Sequence, residues 1–132
     1  MADAKEDQNR DVLDDVLLNL ARARVAFGAA VFASPRLSVR FMGLGRGTDS
    51  GRDYLTRMFA AREIALGVGY LLSDGSGRRT WARLGLLVDS LDVLGAVKAR
   101  KGVPLWVTAG AVGAAGGYAA VGAAKAAKDL VR

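Results

Sequence analysis

The chain has no cysteine and no histidine. The first absence removes disulfides, thiolate nucleophiles and cysteine-ligated metals. The second removes the commonest general base and the commonest metal ligand. Together they argue against an enzyme more strongly than any residue present argues for one, and no cofactor or metal is expected. Aromatic residues make up only 7% of the chain, too few for the stacking platforms of a single-strand nucleic-acid binder. The net charge of +6 comes from 19 basic against 13 acidic residues. The basic residues stand between apolar runs: Arg36, Arg40 and Arg46, then Arg78, Arg79 and Arg83, then Lys98, Arg100 and Lys101. Charges that flank apolar segments suit lipid headgroups better than a nucleic-acid face, so nucleic acid is not an expected partner.

At 132 residues the chain is one domain. It opens on Asp3, Glu6, Asp7, Asp11, Asp14 and Asp15, the opposite of the basic start of a secretory signal. Residues 1–10 read as a disordered acidic tail and 11–132 as the folded unit.

Four helices are expected. The first runs from about Asp11 to Ala33, with Leu13, Val16, Leu17 and Leu20 at helical spacing and an all-apolar second half. Ser34-Pro35 ends it. Arg36–Met42 is short and amphipathic: Leu37, Phe41 and Met42 can enter a membrane interface while Arg36 and Arg40 stay at headgroups. The loop 43–51 carries glycines at 43, 45 and 47, without the preceding strand a phosphate cradle requires. The second helix spans about Arg52–Leu72 with Ser50 as cap, and ends at Ser73-Asp-Gly-Ser-Gly77. Thr80 caps the third, Trp81 to about Lys98, and Pro104 opens the fourth, which reaches about Asp129. No segment alternates as a strand does, and short loops join antiparallel neighbours. The fold class is all-α: an up-down four-helix bundle, transmembrane, with a short interfacial helix after the first.

The fourth segment carries the membrane reading. Residues 103–124 form 22 positions without a charge, enough to cross ~30 Å of hydrocarbon. Lys125, Lys128 and Arg132 follow, and Trp106 stands near the other end. Gly110, Gly113 and Gly117 form a small-residue seam on which helices pack closely in lipid. In a water-exposed helix each such glycine costs up to ~1 kcal/mol relative to Ala.

The other helices carry charges near their middles: Arg22 and Arg24, Arg62 and Glu63, Asp89 and Asp92. Each opposes insertion by ~2.5–3.5 kcal/mol, but together the six cancel, and intramembrane charges turn inward and pair. Asp89 and Asp92 share a helix face at i, i+3, and the planar fork of Arg62 suits a bridge between them. A buried cluster of Arg62, Glu63, Asp89 and Asp92 is expected, joined by Arg22 or Arg24. It serves either as structural pairing or as a ligand or ion site; solvated faces are the plainest alternative.

Three motifs also resemble those of a family: Arg22-Ala-Arg24 leading to Gly28 and Ser34-Pro35, then Arg57-Met-Phe-Ala-Ala-Arg62-Glu-Ile-Ala-Leu-Gly67, then Asp89-Ser-Leu-Asp92-Val-Leu. Over residues 20–125 the chain resembles short actinobacterial membrane proteins that share a domain of unknown function. The resemblance implies four transmembrane helices in the inner (plasma) membrane and no reaction.

The leading expectation is a non-enzymatic integral membrane protein that acts by helix–helix association. Its partners are the lipid bilayer and itself, as a homo-oligomer, or another membrane protein as an accessory subunit. Both termini are expected on the cytoplasmic side. The alternatives are a bundle that binds a polar ligand, lipid headgroup, proton or ion through the Arg/Asp/Glu cluster, a carboxylate enzyme at Asp89/Asp92 or Glu63, and a soluble helical interaction module.

Overall fold

The computed structural model describes residues 1–99, 101 and 102, and isolated positions beyond them (105, 120, 123, 124, 127, 128, 130 and 131). The expected fourth helix, with Gly110, Gly113 and Gly117, lies outside the described residues apart from those isolated positions. Four helices and no strand are found among the described residues: α1 (Ala2–Ala33), α2 (Pro35–Phe41), α3 (Ser50–Leu72) and α4 (Gly75–Ala99).

α1 starts earlier than expected. Residues 2–10 continue the helix and are not a disordered tail. Lys5, Gln8 and Arg10 are good helix formers, Asp3 in the first turn complements the helix dipole, and Arg10 lies 3.7 Å from Asp7 one turn back. Ser34-Pro35 does end α1, and Pro35 becomes the first residue of α2, where its missing N–H costs nothing. α2 turns Pro35 and Val39 inward and leaves Leu37 and Phe41 exposed.

The α2–α3 loop turns on Gly43, Gly45 and Gly47, all at positive φ. Asp49, not Ser50, caps α3: its Oδ1 accepts the Arg52 backbone N–H at 3.0 Å. The next turn is shorter than expected, since helix resumes at Gly75 and Thr80 lies inside it, its hydroxyl donating to the Ser76 carbonyl. The reason is local. The Asp74 carbonyl takes the N–H groups of Gly77 and Arg78, and Arg78 Nε donates to the Ser73 carbonyl at 2.8 Å, so polar groups freed at the turn are satisfied within five residues.

α1 and α3 pack most extensively, and α4 packs on α3. The buried positions of α1 are Leu17, Ala21, Arg24, Gly28 and Val31; those of α3 include Ala60, Glu63, Gly67 and Tyr70; those of α4 are Gly85 and Asp89. Steps of three and four residues put each set on one stripe. Two glycines set the α1–α3 separation. A Cβ on Gly28 would lie 2.7 Å from the Ala60 carbonyl oxygen, and one on Gly67 would lie 2.6 Å from that of Ala21. The backbones therefore approach as closely as small residues allow, the geometry expected of the 113/117 seam but found here between α1 and α3.

Candidate functional site

The three stripes bring one charged residue each to the same level. Arg24 of α1 lies between Glu63 of α3 and Asp89 of α4. Its Nη1 donates to Glu63 Oε2 at 2.5 Å and its Nη2 donates to Asp89 Oδ2. All three side chains are nearly shut off from solvent, at 8%, 8% and 6% exposure. Charged residues reach such burial only when paired, and here one guanidinium fork serves two carboxylates.

A second pair extends this triad towards the surface. Arg62 grips Asp92 through both terminal nitrogens, at 3.1 and 2.7 Å, and Nη2 also reaches Glu63 Oε1 at 3.3 Å. Its guanidinium stands 4.7 Å from the centroid of the Phe59 ring. Arg62 and Asp92 are both 35% exposed, so this pair forms a rim.

The expected cluster thus forms with two corrections. Arg62 bridges Asp92 and Glu63, not Asp89 and Asp92, because Asp89 lies a turn deeper and faces α1. Of the two candidates on α1, Arg24 joins and Arg22 does not. Arg22 is exposed and donates to Asn19 Oδ1 at 3.3 Å. Two residues along a helix is a rotation of about 200°, so both could not share the stripe.

Beside the triad, towards Leu17 and Trp81, lies a cavity of about 40 Å³ lined by residues of α1, α3 and α4, with Arg24 and Asp89 among them. Its walls include Leu66, Tyr70 and Gly85. The Trp81 ring lies over Gly69, where a Cβ would come within 2.3 Å of it. Arg78 covers Tyr70, 5.5 Å from the ring centroid. Composition alone did not mark Trp81, Tyr70 or Gly69 as neighbours of the charges; the i, i+4 step from Gly85 to Trp81 on the Asp89 stripe was the available signal.

Among the described residues no group of three or more His, Cys, Asp or Glu side chains could hold a metal ion. Each carboxylate of the triad faces a guanidinium, an arrangement suited to charge pairing.

Large apolar side chains are exposed on the outside of the helices, beside charged ones such as Arg22, Arg57 and Arg83. Leu84, Leu87, Leu91 and Leu94 form an exposed row along α4, at 42 to 58% exposure, and Phe27, Phe32, Met58 and Leu72 are exposed on α1 and α3. One described helix, α1, is long and apolar enough over Asp3–Ala33 to cross a membrane, a test that a soluble core helix or a leader also passes. Against known proteins, no family model, no curated sequence and no solved structure matches the chain.

Proposed function

We propose that the chain is a non-catalytic helical protein of the membrane that works by helix–helix association, with itself or with another membrane protein. The observation that carries this reading is the reversal of polarity across the bundle. Arg24, Glu63 and Asp89 are buried, while the leucine row of α4 and the phenylalanines of α1 are exposed. Water favours the reverse arrangement, since each buried charge is desolvated and each exposed leucine is hydrated. Hydrocarbon favours this one: charges turn inward and pair, and large apolar side chains meet lipid or another helix. The exposed Leu37 and Phe41 of α2, beside Arg36 and Arg40, fit the interfacial helix that such a bundle would lay at the headgroups.

Cysteine labelling tests this, because the chain has no cysteine and each introduced one is unique. In membrane vesicles permeabilised to a charged, water-soluble maleimide, Leu87→Cys and Leu91→Cys should stay unlabelled until the protein is denatured. Thr48→Cys and Arg79→Cys, exposed near helix ends, should react at once. Equal labelling at all four would mean that the leucine row faces water.

A second reading rests on a different observation, the cavity that adjoins the triad. In it the bundle also binds a small polar or charged molecule, with Arg24 and Asp89 in contact with it.

A further inference from the structure

The directions of the long helices gather charge at one end. α1 and α3 are antiparallel, with Gly67 against Ala21 and Gly28 against Ala60. At the end of α1, Arg57 Nε donates to the Phe32 carbonyl at 3.3 Å. α4 runs back along α3, with Trp81 at Gly69 and Asp92 at Arg62. The end of α1, all of α2, the 42–49 loop, the start of α3 and the end of α4 therefore lie at the same end of the bundle. Among the described residues that end carries five arginines between positions 36 and 57, with Lys98 and Lys101, against the two carboxylates Asp49 and Asp53, a net of +5. Residues 1–15 of α1, at the opposite end, are acidic instead, with five aspartates against Lys5 and Arg10.

Both carboxylates of the basic end serve its architecture. Asp49 caps α3, and Asp53, 6% exposed, accepts Arg36 Nε at 3.0 Å. The Arg36 side chain stays 66% exposed, so a buried carboxylate holds it at Nε while most of it faces outward. Arg52 is fastened to the loop, its Nη2 donating to the Gly47 carbonyl at 2.8 Å, and Arg40 and Arg46 are exposed. Among these arginines Leu37 and Phe41 of α2 stand 67% and 83% exposed. Guanidinium forks match phosphate, and large apolar side chains between them suit a bilayer surface better than a nucleic acid.

The depth of this end agrees. Asp53 precedes Glu63 by ten residues on α3, and Ala99 follows Asp89 by ten on α4; either step is about 15 Å of helix. That is half of the ~30 Å hydrocarbon thickness. With the triad at mid-membrane, the basic end stands at headgroup level, where clusters of about four to eight Lys and Arg attract anionic lipid.

We propose that this end of the bundle is a docking surface for anionic phospholipid, with headgroup phosphates on Arg36, Arg40 and Arg46 and with Leu37 and Phe41 at the acyl boundary. For the depth of that end it rests on the membrane reading above.

The full chain in dodecyl maltoside micelles is unfolded by heat, followed by helical circular dichroism, with dioleoylphosphatidylglycerol, dioleoylphosphatidylcholine or inorganic phosphate added. Phosphatidylglycerol should raise Tm by about 5 °C or more over the other two, and sodium chloride at about 0.5 M should shrink that rise. Arg40→Gln with Arg46→Gln should remove at least half of it. Arg79→Gln with Arg83→Gln, exposed on the other side of the triad, should respond as the parent does. An equal rise with phosphatidylcholine would mean solvation by any lipid, and an equal rise with inorganic phosphate a free-anion site. Equal losses in the two double variants would mean an effect of net charge alone. Each of these would overturn the proposal. Carbonate extraction judges the membrane reading separately. Retention without headgroup preference would leave that reading standing and this one fallen; a released chain that still prefers phosphatidylglycerol would do the reverse.

Discussion

Arg24 holds two buried carboxylates, and Arg62 holds a half-exposed one; the two should respond very differently to removal. Arg24→Ala leaves Glu63 and Asp89 desolvated without their shared partner, and a loss of ~3–5 kcal/mol is expected in a reversible detergent unfolding titration. Asp92→Ala opens a pair at 35% exposure, for which water substitutes, and should cost ~1 kcal/mol or less. Replacing Arg24, Glu63 and Asp89 together by Met, Leu and Leu should be neutral or stabilising by ~1–4 kcal/mol, because desolvation of three charges disappears with their attraction. If single and triple replacements were equally damaging, the triad would owe its burial to something other than mutual pairing. Glycines give a second residue-scale contrast. Gly95 has open space where a Cβ would stand, so Gly95→Ala should stabilise α4 by ~0.5–1 kcal/mol. Gly67→Ala gains the same propensity but forces α1 and α3 apart at 2.6 Å, and overpacking of that kind costs ~1–3 kcal/mol. The same unfolding titration should therefore show opposite signs.

Elements end where local hydrogen bonds, not residue classes, decide. Ser34-Pro35 and the period of the apolar residues make the C-terminal end of α1 and the stripes of α3 and α4 legible in the sequence. The first helical residues of α3 and α4 were not, because Ser50 and Thr80 are good caps by type, while Asp49 and the Asp74 carbonyl hold the actual first turns. The lack of apolar residues at 2–10 argues for a tail, yet a helix held by the packing of Leu17 and Ala21 extends through good helix formers at little cost. The Asp49 cap has a pH signature. The Arg52 backbone N–H holds its carboxyl below the ordinary carboxylate range. A depressed value in the folded state means that the cap's contribution is complete above the ordinary carboxylate value and is lost as pH falls through the depressed one. Amide exchange at Gly51 and Arg52, corrected for the intrinsic rate, should speed up on acidification and in Asp49→Ala at neutral pH. Asp49→Asn, which still accepts the bond, should show no such acid dependence.

Over the whole molecule, the charged cluster was legible because Glu63, Asp89 and Asp92 stand at three- and four-residue steps among small and apolar residues. The choice between Arg22 and Arg24 was not, since it depends on the rotation of α1, which Gly28 and Gly67 set by letting it approach α3. Of the six charges that cancel in the sequence, Arg22 is the one that turns outward. The distribution of polarity also emerges only in three dimensions, because each helix taken singly looks too charged to enter a membrane. Assembled, Arg24, Glu63 and Asp89 are inside, Arg62 and Asp92 form a half-exposed rim, and Arg22 and the leucine row of α4 are outside. Placing one charge on that row, Leu87→Lys, should oppose insertion by ~2.5–3.5 kcal/mol while leaving the triad intact. Alkaline carbonate extraction of membranes from cells that express the tagged chain tests the central claim most directly. Retention in the pellet is expected, with partial release for Leu87→Lys. Complete release of the parent chain into the supernatant would contradict it and make the bundle a soluble or peripheral one.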